Sequence, residues 1–325
     1  MSNDRDITQF DVISQLRFPM IVLVTFAHSY GRVADDYILL SSDWNMYDFL
    51  KLLISQSLVK VAVPVFYIIS GYLFFCHLEK WRWDVWRQKL LRRGATLLVP
   101  YLFWNLLMAF KLHTFNWRIF LEPANMPLWF LRDLIIVSLI TPVIYWGVRR
   151  LGLWLLVMLT IVYFAGIRET TPGLSAYAVF YFTIGAYLSI HGLDMLATMR
   201  RYEWPAYILS LLLLIAMLFT YHSSVFHHLM LAFRLAGAIS VFCLASRVMT
   251  LTDVRFPKVI CDASYFIYLA HYVFFFSFID EAFFSLFDDS EVSLSIHYLL
   301  SPLLKLAIFV AIYLFYRRFR TLFSF

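Results

Sequence analysis

Residues 11–32, Asp-Val-Ile-Ser-Gln-Leu-Arg-Phe-Pro-Met-Ile-Val-Leu-Val-Thr-Phe-Ala-His-Ser-Tyr-Gly-Arg, form an apolar run long enough to cross a bilayer. It carries Arg17 near one end and His28 near the other. At about 100° and 1.5 Å per residue, the step from 17 to 28 is roughly three turns and about 16 Å, so the two side chains are expected on one helix face. A cation held inside a membrane span costs on the order of 3 kcal/mol, which makes such a pair a candidate functional site facing protein rather than lipid.

The whole chain shares the character of that run. Its 325 residues are 62% hydrophobic, 19% aromatic and only 15% charged. Soluble domains carry about a quarter charged residues, so the deficit points to lipid as solvent rather than to a large core. Windows of about 20 residues give ten spans: 13–32, 49–76, 94–112, 128–148, 151–168, 174–191, 204–221, 226–246, 263–285 and 296–316. The expected fold is all-α, a polytopic membrane helical bundle of about ten transmembrane helices forming a single domain over 1–325. Met1 to Phe10 has no apolar run before a small-residue cleavage site, so the first span is expected to direct insertion itself.

Connecting charges orient the spans. Bases follow every even span: Lys80, Arg82, Arg87, Lys89, Arg92 and Arg93; Arg149 and Arg150; Arg200 and Arg201; Arg247, Arg255 and Lys258; Arg317, Arg318 and Arg320. The other side is basic-poor, with Asp35, Asp36, Asp43 and Asp48, a mixed group at Lys111, Arg118 and Glu122, then Arg168 and Glu169, and finally Asp288, Asp289 and Glu291. The positive-inside rule then puts both termini in the cytoplasm and runs the first span outward, from Arg17 to His28. The net charge of +6 is spread through these short clusters, which suits lipid headgroups and not nucleic acid. Cys76, Cys243 and Cys261 make no paired motif, so neither a disulfide framework nor a metal site is expected.

Further polar groups interrupt the spans. Lys89, Arg92 and Arg93 fall at i, i+3 and i+4, one cationic face able to meet phosphates or anionic headgroups. The second span holds Pro64 and the Ser70-Gly71 step, with Tyr72 beyond it, a pattern expected to bend a helix or line a cavity; Lys60 adds a charge one turn before the proline. Arg132 and Asp133 open the fourth span, and as neighbours they are expected to point in different directions, with either side chain available to the outer mouth. Ser264, Tyr268 and His271 form a polar stripe at i, i+4 and i+7. Arg234 and Lys305 are further cations within spans. Histidine suits proton abstraction from a hydroxyl and arginine suits a phosphate, a division of labour that fits group transfer.

Taken in order, Arg17 with His28, Phe66-Tyr-Ile-Ile-Ser-Gly-Tyr-Leu73, Lys89 to Pro100, Leu128-Trp-Phe-Leu131 and Ser264 to His271 resemble the acyltransferase 3 family of integral-membrane O-acyltransferases. The resemblance implies transfer of an acyl group, usually acetyl from acetyl-CoA, to a hydroxyl of a cell-envelope polysaccharide or lipid-linked glycan, in a bacterial cytoplasmic (inner) membrane. By position, His28 matches the family's essential first-span histidine, acting as general base or transient acyl carrier, and Arg17 its partner. Lys89 and Arg92 match a basic pair implicated in cofactor contact, arginine–arginine in many members. Arg93 and Arg17 are further expected phosphate contacts, and Ser70, Tyr72, Arg132, Tyr268 and His271 expected substrate contacts. No metal is expected; the partners are the lipid bilayer and the glycan, no nucleic acid, with a homodimer left open. The alternative is a transporter or flippase for a polar or anionic solute, since buried cations also line translocation paths.

Overall fold

A computed structural model describes residues 7–28, 45–78, 80–114, 116–166, 175–272, 281–288 and 290–323. Asp35, Asp36, Asp43, Arg168, Glu169 and Asp289, and residues 273–280 of the ninth window, lie outside them. Among the described residues every regular element is helical. The helices are α1 (Gln9–Ala27), α2 (Met46–Phe75), α3 (Trp83–Leu112), α4 (Trp129–Leu139), α5 (Thr141–Leu151) and α6 (Leu153–Phe164). They are followed by α7 (Ala176–Ile190), α8 (Met195–Arg200), α9 (Glu203–Phe219), α10 (Val225–Thr252), α11 (Lys258–Ala270) and α12 (Glu291–Phe323).

Five of these are long and apolar enough to cross a membrane: α1, α2, α3, α10 and residues Glu291–Phe319 of α12. A sixth crossing results if Met126–Leu139 and Thr141–Leu151, bent by 63° where they meet, count as one. The sequence windows treat 128–148 as one straight span; the chain breaks it at Thr141-Pro142. Proline has no N–H to continue the ladder, and the Thr141 hydroxyl donates to the Ser138 carbonyl (2.7 Å) while accepting from Trp86 Nε1 (3.0 Å). The helices α6, α7 and α9 are apolar but shorter.

Proline shapes α2 and α3 as well. In α2 a π-helical turn (Leu52–Ser57) and a 3-10 turn (Leu58–Val61) come just before Pro64, which cannot donate to the Lys60 carbonyl. In α3 a π turn (Gly94–Leu98) precedes Pro100. The basic segment Trp83–Arg93 is thereby continuous with the third apolar run as one helix.

The chain divides into two compact units, Met1–Ala62 with Tyr202–Phe325, and Val63–Arg201. In the first, α1 begins at a capping box in which the Thr8 hydroxyl accepts from the Asp11 N–H and the Asp11 carboxylate accepts from the Thr8 N–H. Its buried face (Val12, Ile13, Leu16, Met20, Ile21, Val24) packs on α11 and α12. Gln15 clamps the chain before α11, donating to the Phe256 carbonyl (3.2 Å) and accepting from its N–H (2.6 Å). Helices α9 and α10 pair along their length, tied by the Ser210 and Ser240 hydroxyls (2.8 Å) and an Arg247–Glu203 ion pair (2.7 Å).

In the second unit, α2 and α7 cross at two glycines. A Cβ on Gly71 would collide with the Phe182 carbonyl, and one on Gly185 with the Ile68 carbonyl, so hydrogen side chains let the two backbones touch. Asn105 of α3 holds the 116–125 loop, accepting from the Ala124 N–H (2.7 Å) and donating to the Ile119 carbonyl.

Candidate functional site

His28 sits where α1 ends, its own N–H turned back to the Phe26 and Thr25 carbonyls. The helix end is fixed two residues earlier. The Ser55 hydroxyl, in the π turn of α2, lies 2.7 Å from the Phe26 carbonyl and 2.7 Å from the Tyr298 hydroxyl of α12, whose ring also packs edge-on against Phe26. Three elements thus converge at the base of the histidine. The π turn that places Ser55 there is a consequence of the irregular winding ahead of Pro64.

From α11, His271 meets it. The two imidazole rings lie 5.1 Å apart, tilted by 48°, and the Tyr272 ring stands edge-on to His28 at 5.4 Å. His271 is 3% exposed. Its Nδ1 is 2.8 Å from the Tyr268 carbonyl oxygen, and its Nε2 is buried without a hydrogen-bond partner among the described residues. A carbonyl only accepts, so the proton of the neutral ring is on Nδ1 and Nε2 presents a lone pair. Lys60 and Lys305 are within electrostatic reach of His28, and Arg234 of Lys60. The last pair is brought near because Gly237 admits the Val61 side chain against α10. The ammonium of Lys60 reaches Gln56 Oε1 at 3.4 Å.

Arg17 is exposed, although Ile13, Met20 and Ile21, one turn to either side of it, are buried. His28 follows Val24 and Thr25 of that same buried face. The first-span cation is thus exposed beside this buried face, within electrostatic reach of Cys261 of α11. Ser264 is buried with its hydroxyl turned to the Ile260 carbonyl (3.3 Å), and Tyr268 is half-buried, its ring 6.2 Å from that of His271. Of the stripe on α11, His271 is the member brought to His28. Tyr272, Lys305 and Ser55 were not singled out together with His28 by sequence reasoning; the signal for Tyr272 is its place directly after His271, and for Lys305 its rarity inside an apolar span.

In the other unit the basic triad does not present one face. Lys89 donates to the Phe74 carbonyl, one of the last four carbonyls of α2 that the helix itself leaves unpaired. Arg93 donates to Ser138 Oγ (2.6 Å), Ser70 Oγ (2.9 Å) and the Ser70 carbonyl (3.1 Å), and its guanidinium lies 4.7 Å from the Phe74 ring centre. Both side chains bend inward because buried carbonyls and hydroxyls need donors. Arg92 remains exposed. Ser70 is therefore joined to Arg93, and Tyr72 is buried with its hydroxyl 3.4 Å from the Leu193 carbonyl.

Arg132 and Asp133 correct the sequence expectation. They do pair: Nε and Nη2 of Arg132 donate to Asp133 Oδ1 at 2.9 and 2.8 Å, Nη1 donates to the Leu121 carbonyl, and both side chains are buried. Adjacent positions diverge at Cβ, but an arginine is long enough to fold back. Leaving two buried charges apart would cost more than the bent rotamer. The Tyr67 hydroxyl adds a long contact to Asp133 Oδ2 (3.5 Å).

Among the described residues no group of three His, Cys, Asp or Glu side chains is close enough to hold a metal ion.

A histidine pair at the end of a membrane-length helix, with every regular element among the described residues helical, describes an integral membrane protein with acid–base capacity. The chain belongs to the acyltransferase 3 family, described as Acyltransferase domain, which it matches over residues 11–316. It is 26% identical over 222 residues to Succinoglycan biosynthesis protein ExoH of Rhizobium meliloti (strain 1021), 56% of this chain and 55% of that protein. The chain thus spans about half the length of the curated relative it matches. No solved structure matches.

Proposed function

We propose that this chain is a membrane O-acyltransferase that moves an acetyl group from acetyl-CoA to a hydroxyl of an envelope polysaccharide or lipid-linked glycan, in a bacterial cytoplasmic membrane. The bundle is assigned about ten crossings with both termini cytoplasmic, on the alternation of loop charges. One observation carries the chemistry: His28 is held at a fixed helix end against His271, with Tyr272 beside it and Lys60 and Lys305 in reach. An imidazole so placed can take the proton of an acceptor hydroxyl, or carry the acyl group on a ring nitrogen before the hydroxyl receives it. The surrounding cations favour the negative charge that develops on the carbonyl oxygen during either route. The relative's name, a succinoglycan biosynthesis protein, supports a saccharide acceptor.

Acetyl-CoA supplies an acyl group activated as a thioester. Within Val63–Arg201 the exposed Arg92 fits a phosphate contact, whereas Lys89 and Arg93 spend their donors on the protein and position the segment. Arg17, with an exposed guanidinium on the histidine's own helix, is assigned as the partner of His28.

Mass spectrometry of envelope glycans from cells with and without the protein tests this reading. Acetyl esters that appear only with the protein support it; identical glycans in both would refute it.

A further inference from the structure

We infer that His271 is a second acceptor-binding group, whose Nε2 takes a hydrogen bond from a hydroxyl next to the one that His28 activates, so that the saccharide must present two neighbouring hydroxyls. This rests on the acyl-transfer reading with His28 as base. The tautomer comes first: with Nδ1 donating to the Tyr268 carbonyl at 2.8 Å, Nε2 can only accept. That nitrogen is buried and has no hydrogen-bond partner among the described residues. A buried acceptor without a donor is costly, and a ligand hydroxyl that donates to it offsets that cost.

The donor that completes it comes from a molecule next to His28, because the rings are 5.1 Å apart. The reacting hydroxyl has one proton. When that proton goes to His28, the same hydroxyl has none left for His271. A separate hydroxyl must therefore supply the bond, and the short gap between the rings requires it to be a neighbour on the same sugar. Tyr272 stands edge-on to His28, beside the pair. Tyr268 contributes through its backbone carbonyl and sets the ring orientation.

The test uses the full chain in detergent, acetyl-CoA as donor, and alkali-deacylated oligosaccharides from the source strain's envelope as acceptor. His271→Phe keeps the ring volume and removes the lone pair, and His271→Gln restores an acceptor oxygen. His271→Phe is expected to raise the KM for the oligosaccharide about tenfold, the effect of one lost hydrogen bond, with kcat and the acetyl-CoA KM nearly unchanged. His271→Gln is expected to return the oligosaccharide KM close to the wild-type value. The inference is overturned by an unchanged oligosaccharide KM, by a collapse of kcat at constant KM, which would make His271 the base, or by a rise in the acetyl-CoA KM alone. His271→Leu reads the same quantities if the phenylalanine variant does not insert. His28→Ala run beside them separates the two claims: if it keeps activity the acyl-transfer reading falls, and if it is inactive while His271→Phe behaves as wild type only this inference falls.

Discussion

The imidazoles of His28 and His271 meet with ring centres 5.1 Å apart although 243 positions separate them in the chain. Neither the end of α1 nor the end of α11 makes the pair alone. The Ser55 and Tyr298 hydroxyls fix the first, and the Tyr268 carbonyl orients the second. The account of function rests on this meeting, and the predictions below separate it from the scaffold around it.

Ser55 should matter to catalysis by holding the helix end beneath His28. Ser55→Ala removes a hydroxyl that touches both the Phe26 carbonyl and Tyr298, so transfer should fall several-fold with little change in thermal stability, the net worth of such a bond being about 1 kcal/mol. Initial rates and thermal unfolding of the two proteins in detergent check it.

The two arginines at the end of the basic segment should behave oppositely. Arg93→Ala removes three donated bonds to Ser138 and Ser70 and should lower the melting temperature without a ligand. Arg92→Ala should leave the melting temperature alone and reduce the stabilisation given by added acetyl-CoA. Thermal-shift curves with and without acetyl-CoA measure both quantities. Equal behaviour of the two variants would return the segment to headgroup binding.

Asp133→Ala should be among the most destabilising single changes, because it strands the buried Arg132 guanidinium; losing one partner of such a pair costs about 3–5 kcal/mol. Replacing both residues by apolar ones of similar volume should recover much of that loss. Denaturant unfolding of the single and double variants gives the comparison.

At the α2–α7 crossing, Gly71→Ala and Gly185→Ala each push a methyl group into a facing backbone carbonyl. Each should lower stability by about 1–3 kcal/mol, with backbone instead of a flexible side chain having to move. Gly94→Ala, whose added Cβ meets nothing within 4 Å, is the control and should be neutral or better.

Where the sequence was informative, it was so through chemistry that acts locally. Apolar runs of bilayer length mark α1, α2, α3, α10 and α12, and Pro64 marks where α2 winds irregularly. Helix geometry predicts a shared face for Arg17 and His28; in the structure Arg17 is exposed and His28 caps the helix just past its last residue. What long side chains do once buried was less legible. Arg132 folds onto its own neighbour; Lys89 turns from the expected phosphate face to the Phe74 carbonyl at the end of α2, and Arg93 to Ser70 and Ser138. The break at Thr141-Pro142 was present in the sequence, but the apolar run continuing across it hid the bend. The approach of His271 to His28 depends on how α1 and α11 pack, which no spacing along the chain encodes.

The measurement that bears most directly on the central claim is acyl transfer by His28→Ala in liposomes, with acetyl-CoA and the deacylated envelope oligosaccharides. Loss of a general base is expected to reduce the rate by about 100-fold to 10,000-fold in a variant that inserts and melts like the wild type. Full activity in such a variant would contradict the assignment of His28.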